Sequence, residues 1–264
     1  MRPLRLAVIG ASGRMGRAVI RLALERGDSV VCAVALAETG RDAGELAGIG
    51  PIGVAVTSDV AELSRAGASV AIDFSSPAGM GSLAQATADA NIALVSGTTG
   101  LDVDGALALS RAAERIAVLW EPNMSVGVQL LADLVREAVL RLGVGYDVEV
   151  VEAHHRSKVD APSGTALRLV DVARTARTDS VSVTHGRHGT PGARPLNEIG
   201  VHSVRGGDIV GDHTVHFLGV GERIELTHRA TSRDLFAHGA LRAARWIERK
   251  PAGRYTLRDV LSGD

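Results

Sequence analysis

Leu4-Arg5-Leu6-Ala7-Val8-Ile9-Gly10-Ala11-Ser12-Gly13-Arg14-Met15-Gly16 carries an apolar strand straight into a glycine turn. Past the turn, Met15, Val19, Leu22 and Ala23 fall on one face of a helix that closes at Gly27, and Val30 to Ala35 reads as a second strand. Strand, turn, helix and strand within about 30 residues make a βαβ unit. The turn has the spacing G-x-x-G-x-x-G, a variant of the dinucleotide fingerprint. Its glycines let the chain leave the strand sharply and bring backbone N–H groups close to a pyrophosphate at the helix N-terminus. Arg14 adds a cation. A glycine turn alone is weak evidence, but correct flanking elements make cofactor binding a better reading than a structural turn.

The pattern continues outward. Ser69 to Phe74 is strand-like, a helix opens at Pro77 and runs to about Ala90, Ile92 to Ser96 is a strand, a helix spans about Asp104 to Glu114, and Ile116 to Trp120 is a further strand. Strands alternating with helices call for a parallel sheet covered on both faces, a Rossmann-like, doubly wound α/β fold. Gly97-Thr98-Thr99-Gly100 and Glu121-Pro122-Asn123-Met124 follow two of these strands at their carboxyl ends, where open α/β sheets bind ligands. Both are also ordinary turn sequences; their shared position assigns them to the nicotinamide side. At the end of the second strand, Glu38 comes late for a ribose-binding acid and Arg41 lies further on, so NADH and NADPH both stay open.

Ser125 to Leu142 is an amphipathic helix, with Val128, Leu131, Val135, Ala138 and Leu142 on one stripe. Beyond it the grammar changes. Strand candidates at Asp147–Ala153, Val181–Thr184, Val201–Val204, His213–Leu218 and Arg223–His228 come with one helix, Pro162 to about Arg177. That pattern predicts a second, α+β domain with an open mixed or antiparallel sheet and a helix on one face. Ser232 to Arg249 is helical again, followed by a short helix near Thr256–Leu261. The expected division is a dinucleotide-binding domain over 1–125, rejoined by 234–264, and a substrate-binding and oligomerisation domain over 126–233. Gly186 to Gly192 and Arg205-Gly206-Gly207-Asp208 are the expected mobile loops.

The densest chemistry lies in Glu152-Ala153-His154-His155-Arg156-Ser157-Lys158-Val159-Asp160-Ala161-Pro162-Ser163-Gly164-Thr165-Ala166. Four groups that are or can become cationic sit within five positions, ahead of a helix start. Asp160 is the expected N-cap, with Pro162 in the first turn. The N–H groups of Ser163, Gly164 and Thr165, with Lys158 and His155, would then form a receptacle for a carboxylate or phosphate. A charged loop is ordinarily just a solvated face. Here the histidines abut an apolar strand, the cations alternate with small residues, and Gly164 leaves room for a ligand, which favours function.

Composition sets the outer bounds. The 264 residues are 45% hydrophobic with a formal charge of -1, enough for two cores and no inducement for nucleic acid or an anionic membrane. The single cysteine, Cys32, lies in an apolar strand and reads as core. No apolar leader segment precedes the first strand and no run reaches membrane-spanning length, so a soluble cytoplasmic protein is expected. His185 and His188, and His213 and His216, have loose spacing without a recognised carboxylate or cysteine partner, and no metal is expected.

These motifs resemble the 4-hydroxy-tetrahydrodipicolinate reductase family, also called dihydrodipicolinate reductase, of the diaminopimelate and lysine pathway. The resemblance rests on Gly10 to Gly16, Gly97 to Gly100 and above all Glu152 to Ala166, and extends through Arg205 to Gly211 and Thr227 to Arg233. It implies that His154 gives and takes a proton, that Lys158 is a second proton donor, and that His155, Gly164 and Thr165 hold a substrate carboxylate. It implies cofactor contacts from Gly10, Ala11, Ser12, Gly13, Arg14, Met15, Gly97, Thr98, Thr99, Glu121, Pro122, Asn123 and Met124. It also implies NADH or NADPH as reductant, a small cyclic dicarboxylate substrate and a homotetramer paired through the second domain. Leu36 or Ala37 replaces the common ribose-binding acid, Ser76 a frequent arginine and Met124 a frequent phenylalanine; these bear on the cofactor, not on proton transfer. Two rival readings are weaker. A two-domain amino-acid dehydrogenase would share the glycine turn but not the histidine–lysine run, and a redox-sensing Rossmann regulator would lack the polar cluster. A short-chain dehydrogenase is excluded, because Val150 and Asp259 stand four places after Tyr146 and Tyr255, where that class needs lysine.

Overall fold

The computed structural model describes residues 2–177 and 179–263. In chain order the elements are β1 Arg5–Ile9, α1 Arg14–Glu25, β2 Ser29–Val34, α2 Ala43–Leu46, β3 Val56–Thr57, α3 Leu63–Ala66, β4 Val70–Asp73, α4 Met80–Asp89, β5 Ala93–Ser96, α5 Val103–Ala113, β6 Ala117–Trp120 and α6 Val126–Leu142. There follow β7 Asp147–His154, α7 Gly164–Ala176, β8 Ser182–His185, β9 Glu198–Arg205, β10 Gly211–Leu218, β11 Arg223–Ala230, α8 Asp234–Ile247, β12 Gly253–Tyr255 and α9 Leu257–Ser262. They form two compact units, one comprising the chain up to Val126 and from Asp234 onward, the other Gly127–Arg233.

The first unit is a doubly wound α/β sheet. Its order is β12-β6-β5-β4-β1-β2-β3 and every neighbouring pair is parallel. The strands read as continuous apolar runs because both faces are covered. In β1, Leu6 and Val8 join a core with α1, α8 and α9, whereas Ala7 and Ile9 join a second core with α4 and α5. The order reverses between β1 and β4, where Ile9 stands beside Asp73, and the ligand crevice of such sheets lies at that reversal. The two-residue β3 and three-residue β12 add edge strands that carry too little pattern to be read from sequence.

The second unit is a mixed sheet of order β11-β10-β7-β9-β8. β10 runs antiparallel to β7 and β11, and β9 parallel to β7 and β8. Two helices, α6 and α7, pack on one face over Val148, Val150, Ile199, Val201, Val215 and Phe217. The other face bears Glu149, which accepts hydrogen bonds from Arg187 and Arg194 and meets His202 Nε2 at 2.8 Å.

Two local expectations are corrected. The helix α7 starts at Gly164, and its cap is Ser163, whose Oγ accepts from the Ala166 N–H at 3.1 Å. Asp160 is not the cap because its carboxylate is engaged by Lys158, and Pro162 lies before the helix. The Arg205–Asp208 segment is tied to the end of β7: the Gly206 N–H donates to the His154 carbonyl, and the Gly207 and Ile209 carbonyls accept from the Arg156 and His155 N–H groups.

Candidate active site

In the first unit the glycine turn is shaped by close backbone contacts. Gly10 has φ +77, and a side chain there would run into the Phe74 carbonyl, so only glycine fits. Its N–H and that of Ala11 donate to the Val34 carbonyl at 2.8 and 3.1 Å. A side chain at Gly16 would strike the Gly10 carbonyl, which lets α1 start tightly against the turn. Gly13 is the exposed N-cap of α1 with no side-chain cap, and the first turn of the helix holds no acid. An uncapped, unopposed helix start of this kind suits a diphosphate, and exposed Arg14 stands at its first position.

Across the sheet reversal, buried Asp73 accepts from the hydroxyls of Ser96 and Thr98, both at 2.7 Å, and from the Ser75 N–H at 2.9 Å. The Thr98 carbonyl accepts from Trp120 Nε1 at 2.9 Å. Thr98 therefore braces the loop after β5, while Thr99 is exposed beside it, and Gly97 lets the Phe74 ring pack against the backbone. After β6, Glu121 and Met124 are buried, Pro122 is exposed and Asn123 is half-buried, its Oδ1 accepting from the Ser125 N–H. The Met124 side chain belongs to the core under α8. Leu36, after β2, is 90% exposed, and Arg41 donates to Glu38 at 2.9 Å.

The second unit builds its site by a switch within its own core face. Along β7, Val148 and Val150 face α6 and α7, and the period of two carries Glu152 and His154 onto that face at the strand's end. β9 makes the same change from Val201 to Ser203 and Arg205, and β10, running oppositely, ends this face in His213. Register aligns them: Glu152 stands between His213 and Ser203, and His154 beside Arg205. Three strands thus exchange apolar for polar side chains at one end of the sheet, below the start of α7.

Glu152 is fully buried. Its oxygens accept two hydrogen bonds from Arg205, both at 2.8 Å, and one from the Ser163 N–H at 3.2 Å, while Oε2 lies 2.6 Å from His154 Nδ1. Burial alone would raise this carboxyl, but hydrogen bonds from Arg205, His154 and Ser203 outweigh it and hold the group at about 2. The Ser163 N–H is therefore committed to Glu152 and does not join an open receptacle. Burial lowers the pKa of His154, against the upward pull of Glu152, and the charges of Lys158 and Arg205 lower it further, so the ring is neutral at pH 7. His213 packs edge-on to it at 5.1 Å, with Nε2 at 3.0 Å from Ser163 Oγ; burial, then His154, pushes His213 down to about 4.

The remaining cations surround this buried pair. Lys158 Nζ donates to both oxygens of Asp160, at 2.8 and 2.9 Å. His155 is half-buried, with Nδ1 2.9 Å from Ser157 Oγ and Nε2 3.4 Å from an Arg233 guanidinium nitrogen. Gly164 is exposed and the space beside its Cα is open; Thr165 follows, half-buried, in the first turn of α7. His154, His155, Lys158, Gly164 and Thr165 all belong to the second unit, at the end of β7 and the start of α7. Glu152, Arg205, His213 and Arg233 are members to which the sequence alone assigns no role, and Ser163 serves as helix cap and Glu152 partner in place of the expected receptacle. Among the described residues, no group of three or more His, Cys, Asp or Glu is placed to hold a metal ion.

Residues 4–124 match the profile of "Dihydrodipicolinate reductase, N-terminus" and residues 127–261 that of "Dihydrodipicolinate reductase, C-terminus". The 4-hydroxy-tetrahydrodipicolinate reductase of Anaeromyxobacter dehalogenans strain 2CP-1 is 50% identical over 263 residues, covering 97% of each chain. The chain belongs to the dihydrodipicolinate reductase family. The 4-hydroxy-tetrahydrodipicolinate reductase of Myxococcus xanthus is 49% identical, covering 98% of this chain and 97% of its own. Among solved structures, the dipicolinate-bound dihydrodipicolinate reductase of Paenisporosarcina sp. TG-14 superposes with a TM-score of 0.77 at 22% identity, over 97% and 98% of the two chains. That likeness is one of fold, and it matches the parallel sheet and the mixed sheet described above. As a dihydrodipicolinate reductase family member the chain is an oxidoreductase with a nucleotide-binding N-terminal unit.

Proposed function

We propose that this chain catalyses the NAD(P)H-dependent reduction of 4-hydroxy-tetrahydrodipicolinate to tetrahydrodipicolinate in diaminopimelate and lysine biosynthesis. The observation that carries the reading is the set of a buried Glu152–His154 pair, Lys158 and the start of α7, gathered at one end of the second sheet. Converting this hydroxylated cyclic imine diacid to its product requires the 4-hydroxyl to leave as water, a hydride to be added at one carbon of the resulting double bond and a proton at its neighbour, with two carboxylates held meanwhile. When bound, the reduced nicotinamide supplies the hydride.

Lys158, His155 and the N–H groups of Gly164 and Thr165 bind the substrate carboxylates, at about 1.5–3 kcal/mol for each charge-assisted hydrogen bond. Arrival of that dianion raises the pKa of the neutral His154, which then takes up a proton and delivers it, with Lys158 as second donor. Gly10, Ala11, Ser12, Gly13, Arg14 and Met15 hold the nucleotide diphosphate, and Gly97 to Thr99 and Glu121 to Met124 its nicotinamide end. Met124 takes part through its backbone, because its side chain is buried. No acid stands at Leu36 or Ala37 to refuse a 2′-phosphate, and Arg14 and Arg41 are exposed, so either NADH or NADPH serves.

The assignment divides the chain into a nucleotide-binding part over 1–125 and 234–264 and a substrate-binding and subunit-pairing part over 126–233. The active form is a homotetramer in the cytoplasm. Its pairing surface is the helix-free face of the second sheet, where Val204 is exposed. No helix among the described residues is long and apolar enough to cross a membrane. Purified protein should oxidise NADH or NADPH only when the hydroxy-tetrahydrodipicolinate precursor is supplied. Absence of oxidation with either nucleotide would end the proposal.

A further inference from the structure

We infer that Glu152 is a positioning residue for His154: clamped by Arg205 and Ser163, its carboxylate holds the imidazole with Nδ1 protonated and leaves Nε2 to exchange a proton with substrate. The inference rests on the reading above, in which His154 is the acid and base.

Arg205 and a backbone N–H can only donate, so three of the contacts to Glu152 require an acceptor. A fully buried carboxylate with these partners is ionised, in keeping with its low pKa. An ionised carboxylate also only accepts, so the 2.6 Å contact requires the proton to lie on His154 Nδ1. Neutral imidazole carries one N–H, which leaves the lone pair on Nε2. That nitrogen lies over Gly211, where an added Cβ would stand 2.9 Å away, so the glycine keeps the ring's reactive edge clear. His213 fixes the ring from its edge at 5.1 Å.

The arrangement also tunes acidity. The groups facing His154 are Glu152 from its own strand, Arg205 from β9, His213 from β10 and Lys158 from the following loop. His213 is neutral above about pH 4, so at working pH Glu152 is the anion that stabilises the imidazolium, against the two cations. Replacing it by a neutral isostere lowers the His154 pKa and depletes the acid form.

Nitrogen-15 NMR of the full-length wild-type chain at alkaline pH, with the His154 signals assigned by their loss in His154→Ala, reads the tautomer directly. Protonated Nδ1 with unprotonated Nε2 is expected; the reverse overturns the inference without any variant at 152. In Glu152→Gln, kcat should fall by about 100-fold, with the KM for NAD(P)H unchanged. The alkaline limb of the kcat profile should move down by about one pH unit, and Glu152→Asp should restore part of the loss. An unmoved limb in Glu152→Gln would overturn the inference even if activity fell. Full turnover by His154→Ala would instead overturn the assignment of His154 as acid and base, and the two failures are thereby separable.

Discussion

Lys158 Nζ sits between the two carboxylate oxygens of Asp160, at 2.8 and 2.9 Å, two residues along the same loop. Asp160 is more than half exposed, so the pair is an open ion pair worth up to about 1 kcal/mol. A substrate carboxylate must take the place of Asp160 to reach the ammonium. Asp160→Asn removes the competitor, and the KM for the diacid should fall by up to about fivefold, because 1 kcal/mol corresponds to that factor. Steady-state kinetics at fixed nucleotide check this. A raised KM would mean that Asp160 holds Lys158 in its working position.

Gly211 approaches the imidazole of His154 without bonding to it. A Cβ there would lie 2.9 Å from Nε2 and 3.3 Å from Cδ2, closer than packed atoms allow. Gly211→Ala should displace the ring and lower kcat by about 10- to 100-fold, since small misplacements of reacting groups cost about that much. Stability should drop by no more than about 1–3 kcal/mol. Turnover equal to wild type would show that the ring has another route into place.

Acid should unfold the second unit in two stages. His154 and His213 have folded pKa values below their ordinary 6.5, so the unfolded chain binds protons first and stability declines as pH falls through 6.5 toward about 4. Glu149 and Glu152 are both held at about 2 against an ordinary 4.5. Burial pushes each up, and the arginine and histidine partners of each more than offset it. Their contribution is present above 4.5 and is lost as pH falls toward 2, on the order of 3 kcal/mol for each. Urea denaturation at stepped pH values measures this, and a free energy flat between pH 6.5 and 3 would contradict it.

The fold was legible where burial is one-sided in meaning. Leu6, Ala7, Val8 and Ile9 are apolar without alternation because the sheet is covered on both faces, and the glycines of the following turn mark the reversal of the chain. Glu152 to Ala166 stood out because its chemistry is contiguous. The start of α7 was misjudged because Asp160 and Ser163 can both cap a helix, and only the ion pair with Lys158 removes Asp160 from the choice. Arg205, His213 and Gly211 were not recognised as site members, because strand register brings them to Glu152 and His154 from about fifty to sixty residues away. A usable signal existed. In β7, β9 and β10 the inward positions turn from Val and Phe to Glu, Ser, Arg and His at one end, a change of polarity that a buried face does not tolerate without a purpose.

The central claim is that the cluster around His154 and Lys158 reduces a cyclic diacid with hydride from a nicotinamide. The direct measurement follows NADH and NADPH oxidation by the wild-type chain and Lys158→Ala with the hydroxy-tetrahydrodipicolinate precursor, beside nucleotide binding by each. The account predicts substrate-dependent oxidation by wild type, a loss of kcat of about 100-fold or more in the variant, and equal nucleotide affinity in both. Full turnover by Lys158→Ala, or none by the wild-type chain with either nucleotide, would contradict it.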